Sequence, residues 1–416
     1  VQAEEVAMAS KTIVLIGTLD TKGPEFTYLR DRLVSAGWTP LVVDVGTLGP
    51  PQLAPDISRD EVAAACDVDL VALAGAGDRG QAVSAIGAAA AVLVRRLFDE
   101  GRCHGVLGAG GSGNTAIATQ AMRALPVGVP KVMVSTMAAG DTRGYVGTSD
   151  ITMMASVTDV AGINSVSARI LANAAAAVAG MVSAPPVEVA VGSATVAATM
   201  FGVTTACVTT ARHELEARGY EVVTFHATGA GGMAMENLVA SGLVSAVLDV
   251  TTTELADELV GGVLTAGPDR LEAAGRAGIP QVVSLGALDM VNFGPPDSVP
   301  RRFRDRTLHA HNPAVTLMRT NPEECAELGR IIARKLSVAT GPVALFIPLR
   351  GVSALSAQTG PFYDPAADLA LFDALRAHLD EAVELVEIDT DINAPTFAAA
   401  MAAKLAEYLE DDDERR

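Results

Sequence analysis

The stretch Gly108-Ala109-Gly110-Gly111-Ser112-Gly113-Asn114-Thr115 constrains the fold more than any other segment of the chain. It follows the apolar run Gly105-Val106-Leu107 and opens a helix-like run from Ala116 to Ala124. Strand, glycine-rich turn and helix start, in that order, make a cradle for an anion. Glycines let backbone N–H groups converge, and the helix N-terminus adds a favourable dipole. Ser112 and Thr115 add hydroxyls. No Lys follows the last glycine, so this is not a full Walker A loop, and it is not read as a dinucleotide fingerprint. The competing reading is a tight strand-to-helix turn whose glycines serve packing alone.

The same alternation runs from end to end. The runs Thr12–Ile16, Leu41–Val45, Leu70–Leu73, Val106–Leu107 and Lys131–Ser135 lack polar alternation, as strands of a parallel sheet covered on both faces do. Helical stretches lie between them. Phe26, Leu29, Leu33 and Val34 place an apolar stripe on a helix expected to start near Pro24 and stop at Gly37. A long helical stretch from Asn164 ends near Gly180, and Ser183-Ala184-Pro185-Pro186 reads as a linker, because adjacent prolines cannot continue a helix. The pattern then restarts with Thr195–Met200, Glu221–His226, Ser245–Val250, Gln281–Leu285, Pro342–Pro348 and Val383–Ile388. The expected fold class is α/β, with two doubly wound Rossmann-like domains and largely parallel sheets. Residues 1–10 read as a flexible N-terminus, 11–183 and 187–409 as the two domains, and 410–416 as a solvated charged tail.

At 416 residues the chain exceeds one small core, and its 50% hydrophobic content fits a well-buried protein. A net charge of −19 argues against non-specific binding to nucleic acid or to anionic membranes, both of which need clustered Lys and Arg. The apolar stretch Ile170–Val182 is short for a bilayer. The four cysteines are scattered and form no metal-ligand spacing, for which a reduced cytoplasmic compartment is the simplest account.

In doubly wound sheets ligands collect beyond the carboxyl ends of the strands, and the polar clusters fall there. After the first strand come Thr18, Asp20, Thr21 and Lys22: Lys22 offers a cation for phosphate, and Asp20 a ligand for Mg²⁺. A cap and turn before the helix is the alternative. The glycine loop supplies Gly110, Gly111, Ser112, Gly113, Asn114 and Thr115. After Lys131–Ser135 come Ser135, Thr136, Asp141 and Arg143, the last two able either to pair with each other or to face the same anion as Lys22. In the second half, Gly231 and Gly232, Thr252, Thr253 and Arg350 are candidate substrate contacts. Glu254, Asp289 and His226 are candidate acid–base groups. Against these stand a solvated acidic helix face and a structural histidine. His309 and His311 would lie on one side of a strand, without the further ligands a metal needs. There is no G-x-S-x-G elbow.

These residues also carry a resemblance. The strings GTLDTKGPEF (17–26), GAGGSGNT (108–115), KVMVSTMAAGDTRGYVGTSDITMM (131–154), FHATGAGG (225–232), DVTTTELADELVGG (249–262), GALDMVNFGPP (286–296) and PLRGVSALS (348–356) resemble the Tm-type ATP-binding domain family over nearly the whole chain. That family includes the N-terminal region of a tomato mosaic virus resistance protein and bacterial proteins of unassigned activity. The resemblance implies two Rossmann-like subdomains, self-association as a homodimer or higher homo-oligomer, and ATP binding. The antiviral role of the plant member is a specialisation that does not transfer. ATP phosphates map onto the matching loops Gly110–Thr115 and Asp20–Lys22.

The functional expectation is an ATP-binding protein, an enzyme of small-molecule metabolism with ATP and Mg²⁺ in the first domain and a small anionic substrate, such as an organic acid, in the cleft between domains. The alternatives are an ATP-responsive regulatory module without turnover, and an ATP-independent lyase or hydrolase.

Overall fold

The computed structural model describes residues 11–185 and 194–415. They divide into two compact units, Val1–Glu188 and Val189–Arg416. Each unit is built on its own parallel sheet.

The first unit holds β1 (Thr12–Gly17), β2 (Thr39–Asp44), β3 (Gly105–Gly110), β4 (Lys131–Ser135) and β5 (Thr152–Ala155). Their spatial order is β2-β1-β3-β4-β5, all parallel. β1 and β3 are buried along almost their whole length, which is why they read as unbroken apolar runs. Helix Leu19–Ser35 covers one face with Phe26, Leu29 and Leu33. On the other face, helix Arg79–Asp99 buries Ile86, Leu93, Val94 and Leu97. This helix is the one among the described residues that is long and apolar enough to cross a membrane, and its apolar stripe forms part of the unit's core. Gly108 lets helix Ser112–Arg123 lie close to the sheet: a Cβ there would sit 2.9 Å from Ala118 Cβ and 2.7 Å from Met133 Sδ.

Four sequence readings change. Leu70–Leu73 is not a strand but part of helix Leu70–Ala76, because Asp69 Oδ1 caps it by accepting from the N–H of Val71 and Ala72. The helix expected near Pro24 begins at Leu19 and bends at Lys22, just before the proline. Strand β5 was not anticipated. Residues 410–415 continue the last helix, Pro395–Arg415.

The second unit holds β6 (Thr195–Met200), β7 (Glu221–His226), β8 (Ala246–Thr251), β9 (Gln281–Gly286), β13 (Val343–Pro348) and β14 (Glu384–Ile388). Their order is β14-β13-β9-β8-β6-β7, again parallel throughout. A three-stranded antiparallel sheet of β10 (Met290–Phe293), β12 (Val315–Arg319) and β11 (Leu308–Asn312) is inserted after β9. Helix Pro322–Leu336 shows how local sequence sets an element. Asn321 and Glu324 form a capping box, Pro322 opens the first turn, and Cys325, Leu328, Ile332 and Leu336 bury one stripe. Leu328, Ile332 and Leu336 each contribute about 1.5–3 kcal/mol on burial.

Candidate functional site

In the first unit β1 lies between β2 and β3, so the chain leaves β1 toward one side and β3 toward the other. The loops beyond these two strands diverge and leave a crevice at the carboxyl edge, the position where open parallel sheets bind ligands. A cavity of about 370 Å³ opens there. Thr18 lines it as the N-cap after β1 and Asp20, Thr21 and Lys22 from the first turn of the helix that follows, and Gly111, Ser112, Gly113 and Asn114 from the turn after β3. Thr47 and Leu48 reach it from beyond β2, joined by Arg79 and Asp159. Two loops far apart in sequence thus face one space.

The glycine turn is built for close approach. Gly111 is the N-cap of helix Ser112–Arg123, and no side chain caps the first-turn N–H groups. A Cβ at Gly111 would meet nothing nearer than Thr136 Oγ1 at 3.9 Å, so that side of the turn is open. A Cβ at Gly113 would come within 3.3 Å of Arg79 Nη2. Gly108, Gly110 and Gly113 do follow G-x-G-x-x-G spacing, contrary to the expectation from sequence, although the turn follows the third strand rather than the first. Asn114 is buried, with Nδ2 donating to Ala109 O at 2.8 Å and Oδ1 left without a partner. Thr115 and Ser135 serve the frame: their hydroxyls lie 2.6 Å apart and tie the turn to β4.

The charged groups divide in the same way. Lys22 Nζ donates to Val160 O. Asp20 Oδ2 accepts from the N–H of Leu48 and Gly49 at 2.7 and 3.2 Å, which fixes the loop after β2, while Oδ1 accepts no hydrogen bond among the described residues. The hydroxyls of Thr18 and Thr21 lie 3.1 Å apart. Asp141 and Arg143 pair with each other in bidentate fashion at the surface, with side chains 60% and 90% exposed, away from Lys22's cavity. Arg143 pulls the Asp141 carboxyl down to about 2. Thr136 and Ser135 line a neighbouring cavity of about 390 Å³, and Asp159 lines both. Arg79, not among the residues expected from sequence, has no ion pair among the described residues. Its one local signal is Asp78, the cap that starts its helix.

The second unit repeats the topological reversal, with β6 between β7 and β8, but here the polar groups turn inward. Thr252, Thr253 and Glu254 are 0% exposed and Asp289 1%. Glu254 Oε1 accepts from the N–H of Gly229 and Gly232 at 2.7 and 3.0 Å, and a Cβ at Gly232 would collide with the carboxylate. Arg270, wholly buried, donates to Glu254, Asp249 and Glu236. The glycine turn of Gly231 and Gly232 therefore packs around an internal carboxylate, and burial pushes Glu254 up from its ordinary range. Thr252 Oγ1 donates to Ser284 O, and Asn292 Nδ2 approaches Thr253 Oγ1 at 3.4 Å. Asp289 accepts from Ser353 Oγ at 2.7 Å, and burial raises it to about 6. His226 is exposed and meets the ring of Phe201 edge-on at 5.5 Å. Arg350, also exposed, pairs with Asp389 and lines a cavity of about 480 Å³ with Tyr363, Asp368 and Phe372. His309 packs on Phe362. Among the described residues no three His, Cys, Asp or Glu side chains group as a metal site, and all four cysteines are free thiols.

Comparison with known proteins places the chain in a family. Residues 11–186 match the N-terminal domain of the uncharacterised protein family UPF0261, and residues 193–409 match its C-terminal domain. The chain belongs to the UPF0261 family. A UPF0261 protein of Clostridium tetani is 51% identical over 96% of this chain and 100% of its own length. One from Rhizobium meliloti is 50% identical over 94% of this chain and 98% of its own. The ToMV resistance protein Tm-1 of Solanum lycopersicum is 40% identical over 96% of this chain but only 56% of its own length, so this UPF0261 chain spans about half of the tomato protein. The relation to the Tm-type proteins therefore holds at the level of the family.

Proposed function

We propose that the first unit binds a nucleoside triphosphate, ATP above others, with its phosphates at the Gly111–Asn114 turn, and that the protein uses it in small-molecule metabolism. The observation that carries this reading is the convergence of two loops at the β1–β3 reversal, the turn and Lys22, on one cavity. The residues suit the group. Gly111 leaves open the space that a phosphate needs, and Arg79 adds a second cation beside Gly113. Mg²⁺ is commonly held by one or two carboxylates together with substrate phosphates. Asp20 lines the cavity and would offer Oδ1, although its side chain is 3% exposed and Oδ2 is held by backbone N–H groups with Arg59 Nη1 3.8 Å away. Bound there, Mg²⁺ would neutralise charge on the phosphates. The chain's own part is to orient them by backbone N–H groups, Lys22 and Arg79.

The sealed polar groups of the second unit support a single anion site per chain, since Glu254 already fills the glycine turn there. Calorimetry of the full chain with MgATP tests the reading. One site per chain is expected, together with ADP or AMP formation when a small organic acid is supplied. Absence of MgATP binding to the folded chain overturns it. Binding with no product under any substrate favours the regulatory alternative.

A further inference from the structure

We propose that the first unit holds a second ligand, a small polyhydroxylated molecule, in the hydroxyl-lined cavity beyond β4 and β5, and that Asp159 takes the proton from the hydroxyl that receives a phosphoryl group. The inference rests on the nucleotide reading above and extends it to the acceptor.

Two neighbouring cavities have different chemistry. The one at the glycine turn presents Lys22 and Arg79. The other, of about 390 Å³, has no basic residue in its lining and is bordered by four hydroxyl residues, Ser135, Thr136, Ser156 and Thr158, of which Thr136 is the exposed one. Gly111 stands between them, with Thr136 Oγ1 3.9 Å from the position of its absent Cβ. A charged ligand suits the first space. A neutral, hydrogen-bonding ligand suits the second.

The four hydroxyls are not equivalent. Ser135 Oγ is bound to Thr115 and to the N–H of Met137, and Ser156 Oγ donates to Thr158 O at 2.6 Å. These two hold the walls. Thr136 Oγ1 has no hydrogen bond among the described residues, and Thr158 Oγ1 is a buried atom without a partner. The Thr136 hydroxyl, exposed and without a partner among the described residues, is free to bond a ligand, while the buried Thr158 Oγ1 just behind the wall is an unsatisfied polar atom of the kind that is rare in folded chains. The turn from Ser156 to Thr158 is strained: exposed Val157, a β-branched residue, has a φ of 62°. Such conformations gather at functional sites, where surrounding structure holds them.

Asp159 follows this turn and lines both cavities. Oδ1 accepts from the N–H of Val160 at 2.8 Å, which orients the carboxylate. Oδ2 has no partner, and the side chain has no cation, among the described residues. In the transfer, an acceptor hydroxyl oxygen bonds to the terminal phosphorus of the triphosphate. The bond from that phosphorus to the bridging oxygen breaks, and the nucleoside diphosphate leaves with the electron pair. The hydroxyl proton passes to Asp159.

The test uses the full chain with MgATP and a set of neutral probes: glycerol, erythritol, ribitol and D-ribose. Calorimetry reads binding, and a coupled assay reads ADP. At least one probe is expected to raise ADP release about tenfold or more, with the phosphorylated probe as product. Thr136→Val is expected to raise that probe's KM about fivefold while leaving MgATP affinity unchanged. Asp159→Asn is expected to lower kcat about 100-fold with MgATP and probe still bound, because Asn keeps the bond to the N–H of Val160. If MgATP binds and no probe binds saturably, this inference fails and the nucleotide reading stands. If probes bind and MgATP does not, the nucleotide reading fails and the transfer step falls with it. Unchanged kcat in Asp159→Asn overturns the role of that residue.

Discussion

Glu254 and Arg270 form a fully buried ion pair in the second unit, with Arg270 Nε donating to Glu254 Oε2 at 2.7 Å. The other carboxylate oxygen accepts two converging glycine N–H groups. Glu254 thus does for its turn what a bound anion does for an open one. Arg270 also holds Asp249, at 2.5 and 2.7 Å, and Glu236 at 3.3 Å.

Removing that one cation leaves three carboxylates facing one another with little water. Arg270→Met is expected to destabilise the protein by about 3–5 kcal/mol at neutral pH. Urea unfolding checks it. The deficit should shrink as pH falls, because Glu254, already raised by burial, then takes a proton and the repulsion is relieved. A loss below about 1 kcal/mol would show that the network is not a support of the fold.

Asp257 predicts a second pH dependence. Its oxygens accept from the backbone and side-chain nitrogens of Asn292, both at 2.7 Å, yet burial outweighs these bonds and lifts the carboxyl to about 7. A raised folded-state pKa means that the folded chain binds the proton more tightly than the unfolded one. The contribution is therefore complete below about pH 3.8, the ordinary value, and is lost as pH rises through about 7. It amounts to a few kcal/mol at most, since each tenfold gain in proton affinity is worth about 1.4 kcal/mol. Unfolding free energies of wild type should fall between pH 5 and pH 8 by more than those of Asp257→Asn. Equal slopes would show that this carboxyl titrates normally.

Gly111→Val separates ligand access from folding. Its added atoms enter open space, so the thermal midpoint should stay close to wild type. MgATP affinity should drop about tenfold or more, equal to about 1.4 kcal/mol. Unchanged affinity in the folded variant would remove the turn from the site.

Arg79 and Lys22 predict losses confined to the phosphates. Lys22 Nζ already has a carbonyl partner, whereas Arg79 is exposed and without an ion pair among the described residues. Arg79→Ala is expected to weaken triphosphate binding by about 1.5–3 kcal/mol, and Lys22→Ala by about 1–3 kcal/mol. Neither should change adenosine binding. Equal losses for adenosine and ATP would give both side chains a structural role.

Much of the fold was legible in the sequence because the central strands are buried on both faces and have no polar alternation to blur them. β1, β3 and β8 read directly from their apolar runs, and the strand, turn and helix around Gly111 from their glycines. Leu70–Leu73 misled for the same reason: a short apolar run does not distinguish strand from helix, and the deciding signal was the Asp69 cap. Short β5 has four residues and half-exposed positions, and of the inserted antiparallel sheet only the strand carrying His309 and His311 was legible; the pairing of β12 with β10 joins residues too far apart for one local window.

What the sequence by itself determined is the α/β class, the two-part organisation and the polar turns at strand ends, since these follow from local periodicity and backbone preference. Only the tertiary structure decided which turns face a cavity. The turns at Gly111 and Gly232 look alike as strings, yet one lies beside Arg79 and Asp159 and the other wraps a carboxylate that Arg270 neutralises. The difference lies in residues far away along the chain. Burial and charge balance are sums over everything that packs nearby, and no local window contains them.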